Sequence, residues 1–359
     1  MSQDATPPSG RPALLRAKTL VLAAGGAVLF WFMGVPLPML FGPMFACLVA
    51  ALSGASLKGV GPVSDIGRTV LGVAVGASIS PAVLQQVPQM LGSVAFVPLY
   101  IAVIGLVGVP YFRKVCGFDL PTAYFSAMPG GLQDMVLLGK EAGGDPRALS
   151  LVHATRVLII VTIAPIVLIY FFGRPLSEPI GAPASDIPAM QLLIMAFAAI
   201  AGWKLAERVG LFGAAILGPT ILTAALSLAG VIEHRPPREA ILAAQFFIGL
   251  MIGVGYVGVT FAELRKVVLS GTVFVIILAI LAVLVTEIVV VLGLASPVEA
   301  FLAFAPGGQA EMTVLAIVAG ADLGFVVIHH LTRLTLVILG APLFAAFVGL
   351  RRPLKGMDE

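Results

Sequence analysis

The sequence predicts an all-α, polytopic helical membrane protein made of two related halves, and three observations carry that reading. Of 359 residues, 59% are hydrophobic and 11% charged, whereas soluble domains carry roughly 25% charge. Apolar runs of about 20 residues, the length a membrane helix needs, recur along almost the whole chain. The phrase "AMPGGLQDM" at 127–135 returns as "FAPGGQAEM" at 304–312.

The chain opens on "MSQDATPPSGRP", so residues 1–14 read as a disordered leader. It lacks the charged, apolar and cleavage regions of a signal peptide, and the first span is expected to be retained. The net charge of +3 and pI near 9.0 do not indicate nucleic-acid binding. The Lys and Arg lie in short loops between apolar spans, the signature of membrane topology. Cys47 and Cys116 lie in or beside apolar spans and are read as packing residues.

Aligning Pro129 with Pro306 sets an offset of 177 that holds without a gap to Pro165 and Pro342, with 13 identities in 37 positions. Chance agreement in so apolar a chain is roughly one in ten. The identities include His153, Thr155 and Arg156, which face His330, Thr332 and Arg333, while Asp134 faces Glu311. The same spacing, within one residue, matches Gly42-Pro43 with Gly218-Pro219, and Gly72 and Gly76 with Gly249 and Gly253. The chain therefore reads as a duplication: repeat 1 at 15–175, a linker at 176–186, repeat 2 at 187–349 and a cytoplasmic tail at 350–359.

Each half offers six apolar segments. They lie near 17–34, 37–55, 64–80, 89–112, 119–142 and 146–172, then near 187–203, 211–230, 239–257, 267–293, 297–320 and 323–349. Pro-Gly-Gly interrupts the fifth segment of each half, leaving pieces of about a dozen residues or fewer, roughly 18 Å of helix, too short for a core about 30 Å thick. Such a segment either crosses as a broken helix or enters and returns as a re-entrant hairpin. If it crosses, with the N-terminus inside, 13 Lys and Arg fall in inside loops and six outside. If it returns, the second half is inverted, 16 fall inside, and only Arg174, Arg235 and Arg238 fall outside. The positive-inside rule favours the inverted arrangement of five spans plus a broken segment per half. Inverted repeats with interrupted helices near the midplane are a recurrent plan of secondary transporters.

The break frees backbone groups that are costly in lipid unless they line protein or a wet cavity. The helix that follows presents N–H donors able to attract an anion, which makes Gly130, Gly131, Gly307, Gly308 and Gln309 candidate binding residues. A kink that lets helices pack closely is the ordinary alternative. Asp145 and Asp322 read as helix caps. Arg156 and Arg333 each lie 11 residues further on, about 16 Å along the helix and near mid-membrane, where an unpaired arginine is costly. One reading pairs them with Asp134 and Glu311. The other has them grip a carboxylate bidentately, with His153 and His330 on the same face taking coupling protons. His329 faces Val152 in the other half, and Glu287 faces Pro110, so both lack a counterpart. No Cys/His spacing suggests a metal site.

The paired Pro-Gly-Gly-x-x-[Asp/Glu]-Met phrases, each followed by Asp and then His-x-Thr-Arg, resemble the AbrB-duplication family of bacterial inner-membrane proteins. The resemblance covers about residues 15–350. It implies a duplicated integral membrane protein, with Pro129, Gly130, Gly131, Asp134, His153 and Arg156, and Pro306, Gly307, Gly308, Glu311, His330 and Arg333, at the motif positions. Members carry labels as ammonia monooxygenases or as AbrB-type regulators of gene expression. The sequence argues against oxygen chemistry, because arginines beside the histidines would disfavour a metal. It shows no DNA-binding motif outside the membrane.

The expectation is a non-enzymatic secondary transporter of a small organic anion, without a cofactor and coupled to H⁺ or Na⁺. Its partners are the lipid bilayer and the solute; nucleic acid is not one, and a homo-oligomer is compatible with the plan. The alternative is a membrane sensor of the same kind of solute that regulates gene expression. With no signalling domain after Glu359, it would need a separate effector. A membrane oxidoreductase ranks third.

Overall fold

Among the described residues, fourteen principal helices arise because apolar residues run through each segment and Gly and Pro punctuate the ends. In the computed structural model, residues 12–347 are described apart from Ser177, Pro179 and Phe212. In the first half they are α1 (Pro12–Phe32), α2 (Pro38–Leu52), α3 (Gly61–Gly76), α4 (Val83–Val115), α5 (Leu120–Ala127), α6 (Leu132–Glu141) and α7 (Pro146–Phe171). In the second they are α8 (Ala189–Arg208), α9 (Ala214–Leu228), α10 (Arg238–Val254), α11 (Phe261–Val291), α12 (Pro297–Phe304), α13 (Gln309–Val318) and α14 (Leu323–Phe347). The described residues contain no strand. The expected leader ends earlier than 14, since Pro12 already opens α1. The tail at 350–359 lies outside the described residues.

Among the described residues, six helices, α1, α4, α7, α8, α11 and α14, are long and apolar enough to cross a membrane. Large apolar side chains such as Leu29, Phe32, Phe197 and Leu284 face outward, as a hydrocarbon solvent permits. The 15-residue α2 and α10's counterpart α3, with 16 residues, fall short of full spans. At about 22–24 Å each covers only part of a 30 Å core.

The chain divides into two compact units rather than at the linker. The first joins residues 1–67 to 242–259. In it, α1 turns a stripe of Thr19, Ala23, Gly26 and Ala27 inward, the i, i+4, i+7, i+8 spacing of one helix face. Gly26 lies against the Gly42 carbonyl of α2, where any Cβ would collide. Helix α10 also rests on α2: Gly249 meets the Leu40 carbonyl and Gly253 that of Met44. Leu37 enters α2 in the left-handed region at φ 53, a cost of about 1–2 kcal/mol for a side-chain-bearing residue. At the matching entry to α9 stands Gly213, which adopts φ 64 without that penalty.

The second unit holds residues 68–241 and 260–359. Here Gly202 of α8 meets Gly218 of α9, the same crossing that Gly26 and Gly42 make. The end of α3 lies on α9, with Gly72 against the Ile216 carbonyl and Gly76 against that of Thr220. Thr220 secures the contact by donating to the Gly72 carbonyl at 3.1 Å.

Helices α4 and α11, which match at the 177 offset, run antiparallel. Gly92 abuts Leu294, Gly108 abuts Phe274, and the Tyr111 hydroxyl donates to the Ser270 carbonyl at 3.0 Å. As the chain advances along α4 its partner residues recede along α11, over some twenty residues.

Candidate functional site

Both Pro-Gly-Gly segments fold back on themselves. The Asp145 N–H, beyond the end of α6, donates at 2.8 Å to Thr122 Oγ1 at the start of α5. Gly139 of α6 lies against Phe125 of α5. In the second half the Asp322 N–H reaches Glu299 Oε1, near the start of α12, at 3.3 Å. Beginning and end of each segment therefore meet, and the chain forms a helical hairpin with the break at its tip. Breaker residues explain the tip: Met128 and Gly131, like Ala305 and Gly308, adopt extended backbone that ends one helix before the next begins.

Helices α7 and α14 supply what the tips lack. Asp145 caps α7, accepting from the N–H groups of Arg147 at 2.8 Å and Ala148 at 3.2 Å; Asp322 accepts from Phe325 N–H at 3.1 Å. Two turns further on, His153 Nε2–H donates to the Phe125 carbonyl at 3.0 Å. Arg156 donates through Nη1 to the Met128 carbonyl at 3.3 Å and through Nη2 to that of Gly130 at 2.6 Å. The second half repeats the pattern at the same offset. His330 donates to the Leu302 carbonyl at 2.8 Å, and Arg333 to those of Ala305 and Gly307, each at 2.8 Å. A helix C-terminus carries orphan carbonyls and partial negative charge, and a buried guanidinium answers both.

That geometry changes two expectations. Among the described residues, neither arginine forms an ion pair with Asp134 or Glu311; ion pairs found elsewhere include Arg147–Glu263, Lys204–Glu207 and Arg238–Glu239. Nor is either guanidinium wholly available for a solute, because its two terminal nitrogens already hold the hairpin tip. The helix N-termini after the break are also occupied. Asp134 and Glu311, in the first turns of α6 and α13, fold back so far that a Cβ on Gly131 or Gly308 would strike their carboxylates. An internal anion thus sits where an external one was expected. Both carboxylates are nine-tenths buried and lie within electrostatic reach of Arg68. Gln309, at the start of α13, has no hydrogen-bond partner for either amide atom among the described residues.

The two arginines are nonetheless close enough to act on one another, with Tyr100 of α4 in reach of both. Around the arginines the two halves differ in one bond. Arg333 Nη2 also reaches His330 Nδ1 at 3.0 Å, whereas His153 Nδ1 and Arg156 Nε have no partner among the described residues. His329 is held by the Phe325 carbonyl and Ser93, at 2.8 and 3.0 Å. Glu287 is exposed beside Leu284 and Ile288, apart from the hairpins. Cys47 and Cys116 are free thiols. Among the described residues no three His, Cys, Asp or Glu side chains gather as a metal site would need. Arg68, Tyr100 and Ser126 escaped the sequence reading. Only Arg68 sits in a polar context; Tyr100 and Ser126 face Ile277 and Ala303 at the repeat offset and carry no motif.

Long apolar helices with lipid-suited surfaces, and buried polar hairpins held by intramembrane arginines, define a multi-pass helical membrane protein. A family model described as "Transition state regulatory protein AbrB" matches residues 39–349. The chain belongs to the AbrB family. It is 25% identical over 350 residues to "Uncharacterized protein YhjN" of Bacillus subtilis (strain 168), covering 90% of this chain and 91% of that one. It is 24% identical over 352 residues to "Putative regulator AbrB" of Escherichia coli (strain K12), covering 95% and 97%.

Proposed function

We propose that this chain is a secondary transporter of a small organic anion in the bacterial inner membrane, coupled to H⁺ or Na⁺ and without enzymatic activity. The observation that carries the reading is the pair of fold-back hairpins, each tied at its tip by an arginine, with Arg156 and Arg333 within reach of each other. Buried guanidinium groups near one another repel, and a solute anion between them relieves that cost. The antiparallel packing of α4 on α11 supports inverted repeats, because matching helices that cross a bilayer in opposite directions belong to halves of opposite topology. On that reading the hairpins are re-entrant from opposite faces, and Asp134 and Glu311 carry the coupling ion or compete with the solute.

The test is charge movement by purified protein on a solid-supported membrane, with a panel of mono- and dicarboxylates applied at two pH values. A current with one anion class supports the reading; no current and no solute binding across the panel would sink it. A sensor is the second reading, favoured by the names of the family model and the Escherichia coli relative. It predicts solute binding with no flux.

A further inference from the structure

Helices α4 and α11 run to 33 and 31 residues, about 50 and 46 Å at 1.5 Å per residue. A hydrocarbon core is about 30 Å thick, so each overhangs it, and its cations mark the overhanging end. Each carries only two in its whole length: Arg113 and Lys114 at the end of α4, Arg265 and Lys266 at the start of α11. Because the helices are antiparallel, the two pairs meet. The Tyr111 hydroxyl donates to the Ser270 carbonyl at 3.0 Å, and the rings of Tyr111 and Phe112 lie 5.9 and 4.7 Å from that of Phe274. Phe118 stacks on Phe112 at 5.5 Å, and Lys266 Nζ lies 6.0 Å over the Phe118 ring. Both pairs sit in wide i→i+5 turns, Tyr111–Val115 and Leu264–Val268, of a kind that recurs at functional sites. All four side chains are exposed.

Helix energetics account for only one pair. Arg113 and Lys114 end a helix, where cations suit the dipole; Arg265 and Lys266 stand in the first two turns of α11, where they oppose it. The acids nearby are taken up. Glu263 accepts from Thr260 N–H at 2.8 Å and from Arg147 Nε at 3.0 Å. Asp145 caps α7, and Glu141 has Lys140 beside it. That leaves Asp119, next to Phe118, against four cations. Val115 and Phe261 flank them, 74 and 79% exposed, an apolar border that suits acyl chains and not a soluble anion. We infer that this end of the α4–α11 pair binds the phosphate headgroup of an anionic phospholipid, with its acyl chains along Val115 and Phe261. Each surface Lys or Arg adds to such attraction, and basic clusters at the ends of membrane helices are a recurrent form of lipid site. The phosphate supplies the anion that the start of α11 otherwise lacks.

Purified full-length protein in a zwitterionic detergent is titrated with dioleoylphosphatidylglycerol and, separately, with dioleoylphosphatidylcholine, and bound lipid is counted by native mass spectrometry. The anionic lipid is expected to bind at least about tenfold tighter. Arg265→Gln with Lys266→Gln, and Arg113→Gln with Lys114→Gln, should each remove most of that preference. Arg174→Gln with Arg208→Gln, which deletes the same charge at the ends of α7 and α8, should leave it intact. Without lipid, the Arg265/Lys266 variant should melt at or above the wild type, because cations leave a helix start. That melt shows it folded; if it does not fold, the Arg113/Lys114 variant decides. A wild type without preference, or a folded variant of either pair that keeps the full preference, overturns the site. An equal loss in the Arg174/Arg208 variant marks general attraction to a basic protein and overturns it too.

Discussion

Arg156 Nη2 stands 2.6 Å from the carbonyl oxygen of Gly130, the shortest of the bonds that hold the first hairpin tip to α7. The arginine is therefore part of the fold before it meets any solute. Arg156→Met would orphan two buried carbonyls at a helix C-terminus and should cost about 2–5 kcal/mol. Arg156→Lys keeps the charge but loses the fork, and should recover only part of that loss. Melting of the detergent-solubilised variants checks the order wild type, Lys, Met. A Met variant as stable as wild type would show that the carbonyls find other partners.

The glycines of α1 differ in role although they are neighbours. Gly25 has open space where a Cβ would go, whereas a Cβ on Gly26 would run into the Gly42 carbonyl and Ala46. Gly25→Ala should be neutral or stabilising by up to about 1 kcal/mol. Gly26→Val should separate the two helices and lose roughly 1–3 kcal/mol. Thermal unfolding of the pair of variants, compared side by side, decides it.

Topology is open to chemical labelling. The Tyr111–Ser270 bond puts the end of α4 beside the start of α11, and Lys114 and Lys266 near these ends are exposed. Cysteines placed singly at 114 and 266, in a background lacking Cys47 and Cys116, should react with a membrane-impermeant maleimide from the same side. Labelling from opposite sides would be the signature of parallel repeats. Ser177 in the linker, where inverted repeats expect an outside position, lies outside the described residues.

Asp145 offers a smaller effect. It accepts two N–H groups at the first turn of α7, so Asp145→Ala should cost about 1 kcal/mol. Asp145→Asn should lose a few tenths. Equal losses in both variants, read from unfolding midpoints, would point away from capping.

Much of this was legible in the residues. Composition set the helical membrane class, and the doubled Pro-Gly-Gly phrase located both hairpins, because breakers inside an apolar run leave few other solutions. Asp145 and Asp322 announced caps through position alone. The partners of Arg156 were not legible: a deep arginine needs an acceptor, but sequence does not distinguish a carboxylate such as Asp134 on the preceding helix from a carbonyl at the hairpin tip. Position 134 had a conflicting local role, since an acid in a helix's first turn stabilises its own N-terminus. Tyr100 and Ser126 gave no signal because a hydroxyl among apolar residues looks like ordinary helix packing until its missing partner is seen.

The glycine contacts made by α2 and α10 also set a timetable for synthesis. Helix α2 receives the backbone of α10 at Leu40 and Met44, yet Gly249 is translated about 200 residues after Leu40. At roughly 5–20 residues per second the early hairpin of α1 and α2 waits about 10–40 s for its neighbour. During that interval the face of α2 that carries Leu40, Met44 and Cys47 is left without its partner, open to any passing helix. A nascent chain stalled between the two halves would thus be most exposed to mispairing, and a truncated first half would carry the same unsealed face permanently.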